Sequence, residues 1–291
     1  MEPTAPLCLP YFRDLKELPG TLPTVSEIHA ASDRGKGGYK KIVHIKDIFF
    51  VKYGPYISQL EAENLLFVEK NLTISAPKLY ATWREPDGTL YIVTELLSGD
   101  NLAKLWPCLQ MEEKDLILSR LREMVQQIRA LPAPNLFGSI SHGRVMHDLF
   151  RIFADDPKAN KPFVNEYEFL MALINKIRLD AQDNKRHSYI GDFFERELLP
   201  EFIRNEIKHK PTFTHADFHP GNIIVEKRNG KFDISLVDWE ASGWYPSYWE
   251  YVSAFLTVEW VDDWGPRLGD IIESWPSELA MMKMIYHILW F

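Results

Sequence analysis

The chain has 291 residues, of which 46% are hydrophobic and 25% are charged, the balance of a folded globular protein with a substantial core. Its 33 lysine and arginine residues against 41 aspartate and glutamate residues give a net charge of −8, which argues against a general nucleic-acid-binding protein. Two cysteines cannot form a disulfide framework, and we find neither a secretory signal nor an apolar segment long enough to span a bilayer, so we expect a cytoplasmic protein that does not bind membranes.

The N-terminal third of the chain has the pattern of β-strands. Short runs of β-branched and aromatic residues predict three strands, at residues 41–45, 48–53 and 90–96. Between the second and the third strand, residues 58–69 are predicted to form a helix, with apolar positions at Leu60, Leu65, Phe67 and Val68.

Beyond Gly99 the apolar periodicity becomes helical. The clearest helix is predicted over residues 111–131, where apolar residues recur at intervals of three and four. Four further helices are predicted, over residues 164–181, residues 193–207 with a break at Pro200, residues 248–260 and residues 277–289.

A β-hairpin interrupts these helices at residues 222–238. The pair Asn229-Gly230 between two strand-like runs is a strong turn signal. We therefore expect an α+β molecule with two lobes, a small β-rich lobe at residues 1–97 and a larger helical lobe at residues 98–291.

The segment that leads into the hairpin carries the most informative motif. Asp217 follows His215 by two residues and precedes Asn222 by five, and Asp238 ends the second strand of the hairpin. In phosphoryl transfer, one aspartate accepts the proton of the attacking hydroxyl, while an asparagine and a second aspartate hold Mg²⁺ on the nucleotide phosphates. Each of these residues alone is typical of a turn, but the combination at this spacing favours a phosphotransferase.

The motif H-x-D-x-x-x-x-N, followed by a hydrophobic segment that ends at Asp238, resembles the aminoglycoside phosphotransferase and choline kinase superfamily. The tryptophan-rich segment after Asp238 resembles the fungal-type branch of that superfamily. The resemblance implies a protein-kinase-like bilobal fold, ATP and Mg²⁺ as cofactors, and a small molecule as the phosphoryl acceptor. It assigns Asp217 as the catalytic base, His215 to the structure of the catalytic loop, and Asn222 and Asp238 as the Mg²⁺ ligands.

The N-terminal lobe contains the lysine and the glutamate that such a kinase needs. Lys52, on the second predicted strand, is placed to bind the α- and β-phosphates. Glu61, on the helix that follows, is expected to hold this lysine. Glu63 is the alternative. Residues two apart cannot share one helix face, so only one of the two glutamates can face the lysine.

Two further segments of this lobe are expected to contact the nucleotide. The resemblance places Glu95 and Leu97, after the third strand, in the hinge whose backbone meets the adenine. Gly35 and Gly37 lie before the second strand, where a phosphate-covering loop belongs.

The acceptor site is expected beyond Asp238, where aromatic and acidic residues are crowded together. Aromatic faces and carboxylates suit an amine cation, although core packing is the alternative explanation for each residue. The predicted function is therefore phosphoryl transfer from ATP to a hydroxyl of a small, amine-bearing metabolite or antibiotic. The candidate acceptor-binding residues are Glu240, Trp244, Trp249 and Glu250.

Three alternative interpretations stay open at this stage. The first is a kinase-like fold repurposed as a non-phosphorylating binding or biosynthetic protein. The second is a protein kinase. The sequence disfavours it, because no activation segment and no Ala-Pro-Glu anchor follow Asp238. The third is a metallohydrolase with ligands in the pattern His-x-Asp-x-His at residues 215–219, which the distant Asp238 disfavours. The sequence does not identify the acceptor, the choice between ATP and GTP, or the oligomeric state.

Overall fold

The structure is a computed structural model that describes residues 2–35, 38–150, 161–204 and 209–290. The chain divides into two units. We call Ala5–Leu109 and Pro220–Glu240 the sheet unit, and Met1–Thr4, Gln110–His219 and Ala241–Phe291 the helical unit. The division into a nucleotide-binding lobe at residues 1–97 and an acceptor lobe at residues 98–291 stays a prediction.

Within the described ranges, ten strands form three antiparallel sheets. The strands are β1 (Tyr11–Phe12), β2 (Lys41–Ile45), β3 (Phe49–Gly54), β4 (Leu79–Arg84), β5 (Leu90–Glu95), β6 (Asp100–Asn101), β7 (Pro211–Thr214), β8 (Ile223–Arg228), β9 (Lys231–Leu236) and β10 (Gly243–Pro246). The α-helices are α1 (Val25–Ala30), α2 (Leu60–Asn71), α3 (Leu102–Leu105), α4 (Met111–Arg129), α5 (Glu166–Asp183), α6 (Tyr189–Phe193), α7 (Leu199–Arg204), α8 (Trp249–Leu256), α9 (Trp264–Arg267) and α10 (Pro276–Trp290).

The five-stranded sheet of the sheet unit has the order β1-β4-β5-β3-β2. The three strands predicted for this region are confirmed as β2, β3 and β5, and the helix predicted between them is α2. β4 has no counterpart among the predicted strands. Its residues Leu79, Tyr80, Ala81 and Thr82 are all buried, so they lack the alternation by which a strand with one exposed face is predicted.

The predicted hairpin is formed by β8 and β9, and β6 joins it as a third strand. Asn229 and Gly230 both have positive φ angles, of 50° and 75°, as a tight two-residue hairpin turn requires. Gly99 has a φ of 105°, and a Cβ atom there would lie 2.4 Å from the carbonyl oxygen of Val225. Glycine at this position therefore lets β6 approach β8.

The helical unit is built around a core to which α5, α8 and α10 contribute. The predicted long helix is confirmed as α4, whose buried face includes Ile117, Leu121 and Ile128. The helix predicted to continue to Trp260 ends at Leu256 instead, and Trp260 has a φ of 57°, which lies outside the helical region.

The predicted helix was expected to kink or break at Pro200. Pro200 lies in the first turn of α7, directly after a π-helical turn at Phe194–Leu198 that joins α6 to α7. Proline has no amide hydrogen to donate to the preceding turn, so a locally wider turn accommodates it. Residues 205–207 of this predicted helix lie outside the described residues. None of the helices within the described ranges is long and apolar enough to cross a membrane.

His209 joins the first turns of α5 and α10. Its Nδ1 atom lies 2.7 Å from Glu166 Oε1, and its Nε2 atom lies 3.3 Å from Glu278 Oε1. Although burial opposes protonation, the hydrogen bond to Glu166 and the charges of both carboxylates raise the pKa of His209. In its protonated form, His209 therefore links the beginnings of the two helices by charged hydrogen bonds.

We expect His209→Gln to lower the free energy of unfolding by about 2 kcal/mol in slightly acidic solution. The stabilisation belongs to the protonated ring, so it is complete below the unfolded-state pKa of about 6.5 and is lost as the pH rises through the raised folded-state pKa. Urea unfolding at about pH 6 and about pH 9 measures this difference. His187→Gln is the control, because His187 pairs with Asp192 on the exposed surface. A cost that does not depend on pH would contradict the assignment.

Candidate active site

Lys52 lies in β3 and is surrounded by carboxylates of the sheet unit. Its Nζ atom lies 2.6 Å from Glu61 Oε1, 2.9 Å from Asp238 Oδ1 and 3.5 Å from Glu240 Oε2. The side chain is only 3% exposed. Although burial disfavours the charged form, the three carboxylates raise the pKa of Lys52 above its ordinary value. The lysine is therefore a fixed, buried positive charge.

The structure pairs Lys52 with Glu61 and not with Glu63. Glu61 is on the buried face of α2. Glu63 points elsewhere, and its Oε1 atom accepts hydrogen bonds from the backbone amide of Leu7 and from the side chain of Gln59, each at 3.0 Å. The alternative left open by the sequence is therefore excluded by geometry.

Asp238 follows β9 in a backbone conformation that is uncommon for a residue with a side chain. Its φ angle is 63°, which costs about 1 kcal/mol or more unless the surroundings hold it. The amide of Val237 donates to the carbonyl of Asn222 at 3.0 Å, and the side chain of Asn64 donates to the carbonyl of Trp239 at 2.6 Å. These two hydrogen bonds fix the backbone on both sides of Asp238.

Asn64 was not among the predicted site residues. It is fully buried on α2, and it connects the helix that carries Glu61 to the segment that carries Asp238. In the sequence, Asn64 stands out only as a polar residue among the apolar residues of a helix. This pattern is not specific for a functional site.

The donor set around Asp238 fits Mg²⁺. Carboxylate oxygens of Glu61, Asp238 and Glu240 all lie within 4.8 Å of one another, and Asn222 adjoins Asp238 through the start of the hairpin. Carboxylate and amide oxygens are the ligands that Mg²⁺ prefers. Glu61 is buried and held by Lys52, whereas the side chains of Asp238 and Glu240 are 29% and 41% exposed. Asp238 and Glu240 are therefore the more exposed carboxylates of this group, and the binding of Mg²⁺ by Asn222 and Asp238 stays a prediction.

Glu240 was predicted to contact the acceptor, and this contact stays a prediction. Its Oε2 atom lies 3.0 Å from the Nζ atom of Lys40 and 3.5 Å from that of Lys52. Glu240 thus belongs to the cluster of charges around Lys52, because the turn after Asp238 brings residues 238 and 240 to the same lysines.

In the helical unit, Glu250 holds the backbone of the loop at residues 215–219. Its two carboxylate oxygens accept hydrogen bonds from the backbone amides of His215 and Ala216, at 2.7 and 3.0 Å. Glu250 is 1% exposed, and burial raises its pKa to about 7 against the effect of these two hydrogen bonds. Ala216 has a φ of 67°, so the carboxylate stabilises a turn that a non-glycine residue rarely adopts.

The same loop presents Asp217 at the surface of the helical unit. The side chain of Asp217 is 39% exposed, whereas His215 is fully buried. The amide of Asp217 donates to His215 Nδ1 at 3.3 Å, and Ser242 Oγ donates to the carbonyl of His215 at 3.0 Å. His215 therefore shapes the loop, and Asp217 is the residue of this pair that a ligand can reach.

The metallohydrolase interpretation finds no support in this loop. Within the described part of the chain, the side chains close enough together to hold a metal ion are those of Glu61, Asp238 and Glu240. His215 is buried, and one of its ring nitrogens already accepts a backbone amide.

Trp244, Trp249 and Glu250 were also predicted to contact the acceptor, and their burial does not fit this prediction. None of the three is more than 1% exposed. Trp244 packs against Phe213 at a ring separation of 5.2 Å, and Trp249 stacks on Tyr245 at 5.4 Å. The two tryptophans fill the interior of the helical unit because large aromatic surfaces gain most from burial.

The remaining residues predicted to contact the nucleotide lie just before β2 and at the end of β5. The amide of Gly35 donates to Asp33 Oδ1 at 2.8 Å in the turn before β2, and Gly37 lies outside the described residues. Glu95 ends β5, and its amide donates to the carbonyl of residue 78. Leu97 follows in an extended segment and is partly exposed. Their contacts with a nucleotide stay predictions.

Comparison with known proteins identifies the family and the fold of this chain. Residues 58–278 match the family model described as the phosphotransferase enzyme family. The ternary complex of APH(2")-IIa with streptomycin and ATP is similar at 14% identity and a TM-score of 0.55, over 80% of this chain and 76% of that chain. Aminoglycoside phosphotransferase APH(4)-Ia, as a thermostable mutant without ligand, is similar at 13% identity and a TM-score of 0.54, over 89% of this chain and 80% of that chain.

A third structure, ADP-bound aminoglycoside phosphotransferase APH(2")-Ib, is similar at 13% identity and a TM-score of 0.54, over 75% of this chain and 68% of that chain. A search of curated proteins finds no match. The predicted α+β, protein-kinase-like fold is confirmed by these similarities. The fungal-type branch stays a prediction.

Proposed function

The chain belongs to the phosphotransferase enzyme family, and we propose that it transfers the terminal phosphoryl group of ATP to a hydroxyl of a small, amine-bearing metabolite or antibiotic. The observation that carries this proposal is the buried contact of Lys52 with Glu61 and Asp238. A binding protein that uses no phosphoryl donor has no need for a lysine fixed in this way.

Lys52 binds the α- and β-phosphates of the nucleotide. Glu61 holds the ammonium group in place, so its position does not change when the phosphates arrive. A fixed charge costs no reorganisation at the moment of reaction, which is the basis of electrostatic catalysis in phosphoryl transfer.

Asp217 accepts the proton of the acceptor hydroxyl. As the hydroxyl oxygen forms its bond to the terminal phosphorus, the bond from that phosphorus to the bridging oxygen of ADP breaks, and ADP leaves with the electron pair. The proton moves to the carboxylate of Asp217, which is exposed and is held by the backbone hydrogen bonds of the loop. The products are ADP and a phosphate ester.

Asn222, Asp238 and Glu240 supply the oxygen atoms for a magnesium ion. When bound, the ion neutralises charge on the phosphate groups. Without it, three acidic side chains in this cluster face two lysines, so an additional cation is electrostatically favourable here.

An amine-bearing acceptor is supported by charges near Asp217. Burial lowers the pKa of His147 to about 4, although the charges of Asp148 and Asp217 act in the opposite direction. The ring is therefore neutral, and the charges that act on it are the two carboxylates and the ammonium group of Lys176. This setting favours a cationic group on the acceptor. The streptomycin of the APH(2")-IIa complex shows that a protein of similar fold binds an aminoglycoside.

Thermal unfolding with Mg·ATP tests the nucleotide and metal sites. A ligand at about 100 times its Kd adds about 2.7 kcal/mol of stability, which raises the midpoint by several degrees. We expect this shift for the wild type with Mg²⁺ and ATP together, and a strongly reduced shift for Asp238→Asn. Asp233→Asn, on the exposed face of β9, is the matched control. An unchanged shift in Asp238→Asn would show that Asp238 does not hold the metal.

A further inference from the structure

A second lysine faces the carboxylates that surround Lys52. The Nζ atom of Lys40 lies 3.0 Å from Glu240 Oε2 and 3.9 Å from Asp238 Oδ2. Lys52 contacts the other carboxylate oxygen of Asp238, at 2.9 Å. The two ammonium groups therefore bracket the side chain of Asp238.

The two lysines differ in how firmly they are held. The side chain of Lys52 is 3% exposed and is fixed by Glu61, whereas that of Lys40 is 37% exposed. An ammonium group on a flexible four-carbon chain can change partners in solvent, because exposed ion pairs contribute little stability. Lys40 is thus the more exposed of the two positive charges, and Lys52 is the buried one.

The backbone that carries Lys40 is itself well defined. A Cβ atom on Gly54 would lie 2.1 Å from the carbonyl oxygen of Tyr39 and 3.4 Å from the Cα atom of Lys40, so the end of β3 packs directly against this segment. Asp33 Oδ1 accepts the amide of Ile42 at 3.1 Å and closes the turn that leads into β2. The side chain of Lys40 therefore starts from a fixed point beside the carboxylates.

The charges indicate where the ammonium group of Lys40 moves when a nucleotide binds. Phosphate oxygens compete with Glu240 for this group, and a lysine binds phosphate as a point charge. A magnesium ion held by Asp238 and Glu240 makes the contact of Lys40 with these carboxylates less favourable. Both effects direct Lys40 from its carboxylate partners towards the phosphates.

We propose that Lys40 is a second phosphate-binding lysine, whose ammonium group leaves Glu240 and pairs with the terminal phosphate of the bound nucleotide. The proposal rests on the proposed function, in which Lys52 serves the α- and β-phosphates. The γ-phosphate is then the group that Lys40 binds. Because ADP has no γ-phosphate, Lys40 contributes to the binding of ATP and not to that of ADP.

Calorimetric titration of the full chain with Mg·ATP and with Mg·ADP tests the proposal. We expect Lys40→Ala to weaken Mg·ATP binding by about 10-fold and Mg·ADP binding by less than about 3-fold. Lys40→Arg keeps the charge and should retain most of the affinity for Mg·ATP. Lys41→Ala is the matched control, because Lys41 is exposed and its Nζ atom lies 6.0 Å from the centre of the Tyr53 ring, away from the carboxylates.

Three results would overturn the proposal, and they differ in whether the nucleotide site and the proposed function are also refuted. If Lys40→Ala binds Mg·ATP as tightly as Lys41→Ala does, the role of Lys40 is refuted while the nucleotide site stands. If Lys40→Ala weakens both nucleotides equally, Lys40 does not read the terminal phosphate. If the wild type binds neither nucleotide, the proposed function fails together with this inference. Equal unfolding midpoints of Lys40→Ala and Lys41→Ala without nucleotide show that the variants are comparably folded.

Discussion

Replacing Asp217 by asparagine is expected to lower kcat for phosphoryl transfer by about 10²- to 10⁴-fold, because asparagine cannot accept the proton of the attacking hydroxyl. The substitution preserves the size of a side chain that is 39% exposed, and the loop is held by backbone groups and Glu250. We therefore expect the fold and the affinity for Mg·ATP to be unchanged.

ADP release at saturating acceptor measures this effect, and Mg·ATP titration of the same preparation verifies the nucleotide site. Asp233→Asn makes the same chemical change on an exposed strand position and should leave kcat as it is. If Asp217→Asn turns over acceptor at the rate of Asp233→Asn, Asp217 is not the proton acceptor.

Glu250→Ala is expected to lower the free energy of unfolding by roughly 3 kcal/mol, since two buried backbone amides lose their acceptor. The loop that presents Asp217 then loses its anchor, so kcat should fall as well. Glu250→Gln retains one carbonyl oxygen and should lie between the wild type and the alanine variant. Urea unfolding gives the stability, and ADP release gives the turnover.

Glu259→Gln provides the comparison for Glu250, because Glu259 is exposed. Surface substitutions of this kind change stability by about 0.5 kcal/mol or less. A Glu250→Ala variant as stable as Glu259→Gln would contradict the anchoring role. Lost turnover with normal stability would instead assign Glu250 a more direct part in the reaction.

The sequence predicted those elements whose pattern is regular and local. β2 begins and ends where the run of β-branched residues does, at Lys41 and Ile45, and α4 begins at Met111 as its periodicity indicates. The family resemblance favoured Glu61 as the partner of Lys52 and left Glu63 as the alternative, and the structure contains the contact with Glu61.

Residues whose role depends on one distant contact were not predictable in this way. Glu250 meets the amide of His215 across 35 positions of sequence, and Lys40 meets Glu240 across 200. A glutamate in an aromatic segment has the same local pattern whether it anchors a backbone or binds an amine. Only the fold distinguishes these two roles, and it places Trp249 in the core.

We propose that this chain transfers a phosphoryl group from ATP to a hydroxyl group of a small amine. The most direct test is acceptor-dependent ADP formation from Mg·ATP, with choline, ethanolamine and streptomycin in the acceptor panel and mass spectrometry of the products. We predict that at least one hydroxyl-bearing amine gains a phosphoryl group with the wild type and not with Asp217→Asn. Two results together would contradict this proposal. In the first, no acceptor raises ADP formation by the wild type above that of Asp217→Asn. In the second, the wild type does not bind Mg·ATP.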